Sequence, residues 1–271
     1  MSEQQFQLRE AEGVRWLEVP LASARAVFTT RLGGVSTGPW ASLNLGYTVG
    51  DDPQRVGENV ARLCRALGID PRQLAAARQV HGARTVVLDR KHAGAGMVAA
   101  LPAAGEGDVL LAPAQGPWPV VKLADCLAVL IADAKTGALA AVHAGWRGTA
   151  ARVAARALEE MARIFRTEPR DCQVALGPCV GPCCYTVGED VARAFAGDLA
   201  RALRRDEQGA FRLDLALANR WQLERAGVPP EHIVHADLCT SCRADFFFSH
   251  RRDRGKTGRQ AAILLGERPR K

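Results

Sequence analysis

The stretch Ala138–Phe165, "ALAAVHAGWRGTAARVAARALEEMARIF", decides the fold class. Its first residues are small and apolar without a break, the pattern of a strand buried on both faces. After Gly148 the period changes. Val153, Ala157, Leu158, Met161 and Phe165 share one helical face, and Arg152, Arg156, Glu159 and Arg163 share the other. A strand feeding an amphipathic helix is α/β (α+β) architecture. Gly145 and Gly148 suffice for the turn between them, yet it also carries His143, Trp146 and Arg147. Those extra side chains mark a candidate site.

Working outward, "VVKLADC" and "LAVLIAD" read as buried strands, in hairpin-like succession around residues 119–143. Upstream, "ARAVFTTR" is a strand, followed by the glycine-rich loop "RLGGVSTGPWASLNLG". Asp52-Pro53 opens a helix, because Asp caps and Pro fits the first helical position. Val56, Val60, Leu63 and Leu67 give that helix a core face, and Gly68 ends it. "ARTVVLD" and "DVLL" are short strands. Downstream, "QVALG" is a strand, and "EDVARAF" and "DLALANRWQLERAG" are helices, the second capped by Asp214. "HIVHADLC" and "RQAAILL" are closing strands. No Pro-, Gly- or Ser-rich linker divides the chain, so residues 1–271 read as a single domain, with 1–25 and 266–271 partly peripheral.

The composition is ordinary for a globular protein: 271 residues, 48% hydrophobic and 24% charged. No apolar run is long enough to span a bilayer, and "MSEQQFQLRE" lacks the layout of a signal peptide. A cytoplasmic protein with no membrane partner is expected. The net charge is +7, but lysines are five of the 36 basic residues, and no basic block with interleaved aromatics occurs. Nucleic-acid binding is therefore not expected. The densest basic run, Arg251, Arg252, Arg254, Lys256 and Arg259, reads equally as a solvated loop or an anion site. In a reducing compartment the eight cysteines are core thiols, metal ligands or catalytic groups rather than disulfides.

His143 ends one strand, Cys126 follows another, and His81 lies in "ARQVHGART" at the edge of a third element. Two imidazoles and a thiolate suit zinc, and three protein ligands leave the fourth position open, as in catalytic sites. The spacing by itself is not specific. A buried core thiol and locally satisfied histidines explain the same residues.

Seven blocks occur in order: "TTRLGGVSTGPWASLNLG", "VGDDP", "QVHG", "ADC", "VHAGWRGT", "GPCVGPCCYTVGEDV" and "FFFSHRRDRGKTGRQAA". Together they resemble the YfiH or laccase-domain family, also called the multicopper polyphenol oxidase family, over about 26–265. The resemblance implies a layered α/β/β/α sandwich with mixed sheets and one metal site, held by the residues at His81, Cys126 and His143. It departs from the family pattern at Val60, Ala128 and His250, none of which is a ligand.

The resemblance further implies phosphorolysis of adenosine, inosine, guanosine and methylthioadenosine, and deamination of adenosine. Zinc is the expected cofactor, with Cu²⁺ as an alternative metal. A multicopper cluster is excluded by inventory, since beyond His81 and His143 the chain has only His92, His232, His235 and His250. Copper at the single site would still allow slow phenol oxidation. Expected catalytic residues are Cys126, His143, Asp125 and Arg147, with Asp125 either a proton shuttle or a hydrogen bond orienting its turn. Arg31 and Arg147 are expected to bind phosphate, because the guanidinium fork matches its oxygens. Arg31 precedes a glycine-rich loop, and Arg147 stands before a helix. Asn44 and Tyr185 are candidate lining residues, and Trp146 reads either as a purine stack or as packing. Cys179, Cys183 and Cys184, with the pair Cys239-x-x-Cys242, could together make a second zinc site but read as packing thiols, because the resemblance implies one metal and C-x-x-C alone is not specific. A competing reading makes Cys126 the nucleophile and His143 the base of a hydrolase or amidase editing cell-wall precursors.

Overall fold

The computed structural model describes residues 5–99 and 101–266. Beyond Gly266, the segment expected to be peripheral at the C-terminal end lies outside the described residues. The strands in chain order are β1 (Gln7–Ala11), β2 (Val14–Leu21), β3 (Ala24–Thr29), β4 (Leu74–Ala76) and β5 (Thr85–Val87). Then come β6 (Val109–Ala112), β7 (Trp118–Leu123), β8 (Leu127–Asp133), β9 (Leu139–Ala144) and β10 (Cys172–Leu176). The last are β11 (Thr186–Val187), β12 (Leu203–Arg205), β13 (Phe211–Leu213), β14 (Ile233–His235) and β15 (Gln260–Gly266). The helices are α1 (Pro53–Leu67), α2 (Trp146–Ala150), α3 (Val153–Phe165), α4 (Glu189–Ala194) and α5 (Leu215–Arg225).

Two six-stranded sheets carry the fold. Sheet 1 has the order β1-β2-β3-β15-β7-β4, and sheet 2 the order β14-β10-β8-β9-β6-β5. Pairing is mostly antiparallel, with β4·β7, β5·β6 and β10·β14 parallel, so both sheets are mixed. A three-stranded sheet, β11-β13-β12, stands beside them.

Period-two alternation sorts the side chains into layers. In β8, Leu127, Val129 and Ile131 join a core with Leu158 and Met161 of α3 and Leu223 of α5. The intervening Ala128, Leu130 and Ala132 join a second core with Phe28, Val121 and Leu264 of sheet 1. On the far side of sheet 1, Val60, Leu63 and Leu67 of α1 pack on Val27, Val120 and Ile263. The order α1, sheet 1, sheet 2, α3/α5 is the expected α/β/β/α sandwich. The caps are as read: Asp52 accepts from Gln54 N at 2.8 Å, Asp214 accepts from Leu217 N at 2.9 Å, and Gly68 takes φ 67° at the end of α1.

Three expectations are corrected. Residues 119–143 are not one hairpin series. β7 belongs to sheet 1 and β8 to sheet 2, and only β8 and β9 pair as antiparallel neighbours. Asp125, at φ 90°, turns the chain from one sheet to the other. The expectation for 1–25 is narrowed: β1 lies exposed at the edge of sheet 1, while Val14 and Val19 are fully buried and β2 lies between β1 and β3. The helix expected after Gly148 begins earlier and breaks. α2 starts at Trp146, and Arg152 at φ 60° separates it from α3. Among the described residues, no helix is long and apolar enough to cross a membrane.

Candidate metal centre and its cavity

The site lies at one end of the layer between the sheets. In β9, His143 has the same parity as Leu139 and Ala141, which face sheet 1, and it pairs with Ala128 of β8. Cys126 stands in the crossing between β7 and β8, directly after Asp125. His81 arrives from the loop before β5, in a left-handed conformation of φ 58°. The nearest ligand atoms of His81, Cys126 and His143 lie within 4.8 Å of one another. The two imidazole rings meet edge to face, with centroids 4.9 Å apart. Two nitrogens and one sulfur at this separation fit a tetrahedral metal with one open position.

Asp108, absent from the sequence reading, organises this arrangement. It is fully buried just before β6, and its Oδ1 lies 2.8 Å from His143 Nδ1. The same carboxylate accepts from His81 N at 3.0 Å and Gly82 N at 2.7 Å. Burial pushes its pKa up, but the His143 contact and the backbone N–H donors outweigh burial and hold it below the usual range. One group thus orients a ligand ring and fixes the backbone of another ligand. The sequence signal for it is slight, a lone Asp between glycines and an apolar strand in "GEGDVLL".

Burial also raises the Cys126 thiol, but the adjoining imidazoles win and bring it to about 6. Burial lowers His143, while the Cys126 sulfur and Asp108 raise it to about 9. The pair therefore favours thiolate beside imidazolium, which is the ligand form of the cysteine. Gly145 makes room for it. A Cβ at this position would stand 3.1 Å from Cys126 Sγ and 3.5 Å from His81 Cδ2.

The three ligands open into a cavity of about 1010 Å³. Six cationic side chains line it, Arg78, Lys122, Arg147, Arg251, Arg254 and Arg259, against one carboxylate, Asp125. Such a balance favours an anionic ligand. Asp125 has both oxygens engaged: Oδ1 accepts from Thr240 Oγ1 and Oδ2 from Arg251 N, each at 2.6 Å. This geometry matches the orienting role and ties two loops to the sheet crossing.

The other expected residues divide. Arg147, Trp146 and Tyr185 line the cavity, with guanidinium groups stacked on both rings: Arg147 over Trp146 at 4.3 Å and Arg251 over Tyr185 at 5.1 Å. Arg147 is the second residue of α2, in the first turn of this short helix rather than ahead of it. Arg31 is not in the cavity wall. Its Nε donates to Ala41 O and its Nη1 to Ala244 O, so it ties the glycine-rich loop to the 244–246 segment. Asn44 is fully buried and also absent from the wall. Its Oδ1 accepts from Arg259 N at 2.9 Å and so positions the stem of a wall arginine. Within the basic run, Arg251, Arg254 and Arg259 reach the cavity. Arg252 instead ion-pairs with Asp253 and donates to the Thr240 and Phe247 carbonyls. Lys122, unremarked in the sequence, also faces in, and its Nζ donates to Gly96 O at 2.7 Å.

Residues 25–267, which include His81, Cys126 and His143, match the family described as multi-copper polyphenol oxidoreductase laccase. The chain belongs to that family. Relatives of this laccase-like chain carry other names. It is 39% identical to the purine nucleoside phosphorylase YlmD of Geobacillus stearothermophilus, over 94% of this chain and 95% of that protein. It is 36% identical to the adenosine deaminase RL5 of an unknown prokaryotic organism, over 83% of this chain and 87% of that protein. The crystal structure of YlmD from Geobacillus stearothermophilus superposes with a TM-score of 0.89 at 38% identity, covering 98% of this chain and all of that one.

Proposed function

We propose that this laccase-family chain is a zinc-dependent purine nucleoside enzyme. It cleaves adenosine, inosine, guanosine and methylthioadenosine with phosphate, and it deaminates adenosine. One observation carries the reading: His81, Cys126 and His143 converge on the floor of a cavity whose wall is cationic. The names of the relatives, purine nucleoside phosphorylase and adenosine deaminase, support the same chemistry.

A zinc ion held by these three residues would supply Lewis acidity, lowering the pKa of a water for attack at adenine C6. In phosphorolysis a phosphate oxygen bonds to ribose C1′ while the C1′–N9 bond breaks. The bonding pair leaves with the base, which takes up a proton. Arg147, Arg251 and Arg254 hold the phosphate, because planar guanidinium forks pair two oxygens at once. Trp146 and Tyr185 form the flat wall for the purine. Asp125 keeps this wall in register through Thr240 and Arg251, and Asp108 keeps His143 in its ligating tautomer. With eight free cysteines and no membrane-crossing helix among the described residues, the proposed location is the reducing cytoplasm.

The Asp108–His143–Cys126 order also satisfies a second reading, a cysteine hydrolase with nucleophile, base and orienting acid. His81 supports the metal reading, since a hydrolase has no use for a second imidazole at the thiol. Copper in the same site would give phenol oxidation from one metal, not from a multinuclear cluster. His92 bonds its own turn at Asp89 and His232 faces Cys172 O.

The test is metal-quantified protein incubated with adenosine, with and without phosphate. Adenine and ribose-1-phosphate formed only with phosphate, or inosine formed without it, are expected, and chelation abolishes both. Neither product from zinc-loaded protein overturns the proposal. Turnover of an amide substrate that survives chelation favours the hydrolase.

A further inference from the structure

Of the five cysteines expected to pack, four do not lie within a core, though Cys184 and Cys239 pack against the edge of one. Cys179 does, fully enclosed beside Val180 and Leu213. Cys183, Cys184, Cys239 and Cys242 instead bring their sulfurs within 4.8 Å of one another at the surface, with Cys183 and Cys242 exposed. Cys242 Sγ lies 3.6 Å from Cys183 Sγ and 3.4 Å from Cys184 Sγ. Zinc–sulfur bonds of about 2.3 Å at tetrahedral angles put sulfurs roughly 3.8 Å apart. Two of the six separations are thus close to that value and all lie within 4.8 Å, so the four side chains can close on one ion with small movements.

The backbone around them is shaped for thiolates. Gly181 N donates to Cys239 Sγ at 3.3 Å. A Cβ on Gly181 would crowd both Cys183 Sγ, at 3.3 Å, and Cys239 Cβ, at 3.4 Å. Cys183 and Cys242 are exposed and contribute little burial, and as free thiols they are open to oxidation.

We infer that Cys183, Cys184, Cys239 and Cys242 form a second, structural zinc site with four thiolate ligands. Binding one Zn²⁺ releases the four thiol protons and leaves no open position, so this site does no chemistry. Its work is mechanical. The 183–185 segment delivers Tyr185 to the cavity, and the 239–242 loop delivers Thr240 to Asp125. Just upstream, the chain at Cys179 bridges Cys239, with Cys179 N donating to Leu238 O and Thr240 N to Cys179 O. The ion clamps the two segments together. The inference stands on the cluster alone and does not depend on what the cavity binds.

The experiment is a zinc count by mass spectrometry on three proteins. The wild-type chain is expected to carry a zinc that survives in the His81→Ala/His143→Ala variant and is lost in the Cys183→Ser/Cys242→Ser variant. The latter is expected to melt lower than wild type. X-ray absorption at the zinc edge of the His81→Ala/His143→Ala protein reads the site without disturbing it, and a shell of four sulfurs is expected. A His81→Ala/His143→Ala protein without zinc overturns the inference. So does an intact wild-type mass reduced by the hydrogens of two disulfides, or a zinc count unchanged in folded Cys183→Ser/Cys242→Ser.

Discussion

Asp108 Oδ1 and His143 Nδ1 lie 2.8 Å apart, with both side chains shut away from solvent. The carboxylate also accepts from the backbone on either side of the His81–Gly82 peptide. Asn in its place cannot serve both sides, because its NH₂ must face either an imidazole that needs an acceptor or N–H groups that need one. Asp108→Asn is expected to weaken metal binding by about 10–100-fold. Competition with a chromophoric chelator measures it, and unchanged affinity removes Asp108 from the metal centre.

Arg147 and Arg31 give opposite outcomes. Arg147→Ala is expected to raise the KM for phosphate about tenfold or more, the loss of one charge-assisted hydrogen bond, with the fold intact. Arg31→Ala leaves that KM unchanged and costs about 1–3 kcal/mol of stability, because two backbone carbonyls lose their donor. Steady-state kinetics and denaturant melts on both variants check the pair. A phosphate defect in Arg31→Ala returns it to the binding residues.

Lys122 predicts a pH dependence. Burial lowers its ammonium to about 8. Below that pH the cavity carries this cation, and above it the amine is neutral. Phosphate affinity is expected to weaken as pH rises through 8, and the added step is absent in Lys122→Met. The stability effect runs the other way. Between about 8 and the ordinary lysine value of about 10.4, the unfolded chain binds the proton and the folded chain does not, so this group favours folding as pH rises. Phosphate KM measured from pH 7 to 9 in both proteins is the check.

Gly145→Ala isolates contact from conformation. The backbone here, φ −76° and ψ 175°, accepts any residue, so the cost comes from the methyl against Cys126 Sγ and His81. Lower metal occupancy and turnover are expected, with a stability loss of at most about 1–3 kcal/mol. Full zinc loading of the variant contradicts the crowding.

The legible parts of this site were those whose residue types carry their own chemistry. His81, Cys126 and His143, singled out in the sequence, do converge in the structure, and the strand-turn-helix around His143 followed from periodicity. The exchange between sheets at Asp125 was hidden, because an apolar run reports burial and not which sheet does the burying. Asp108 was hidden for a related reason. A single acid ahead of a strand looks like any turn residue until its partners arrive from 26 and 35 positions away. Arg31 misled because a glycine-rich loop suggests an anion cradle, whereas here it packs against the backbone of another segment. The basic run could not be divided from sequence, since only three-dimensional placement turns Arg251 inward and commits Arg252 to carbonyls.

The position of β15 sets the order in which all this can be assembled. Residues 260–266 do not add to an edge of sheet 1 but lie between β3 and β7. During synthesis, β7 and the Asp125–Cys126 crossing that follows it are made long before the strand that joins them to β3. His81, Cys126 and His143 have therefore all emerged while sheet 1 still lacks a strand from its middle. A nascent chain halted before Gln260 holds the right side chains on an unclosed sheet, and the enzyme comes into being with almost its last strand.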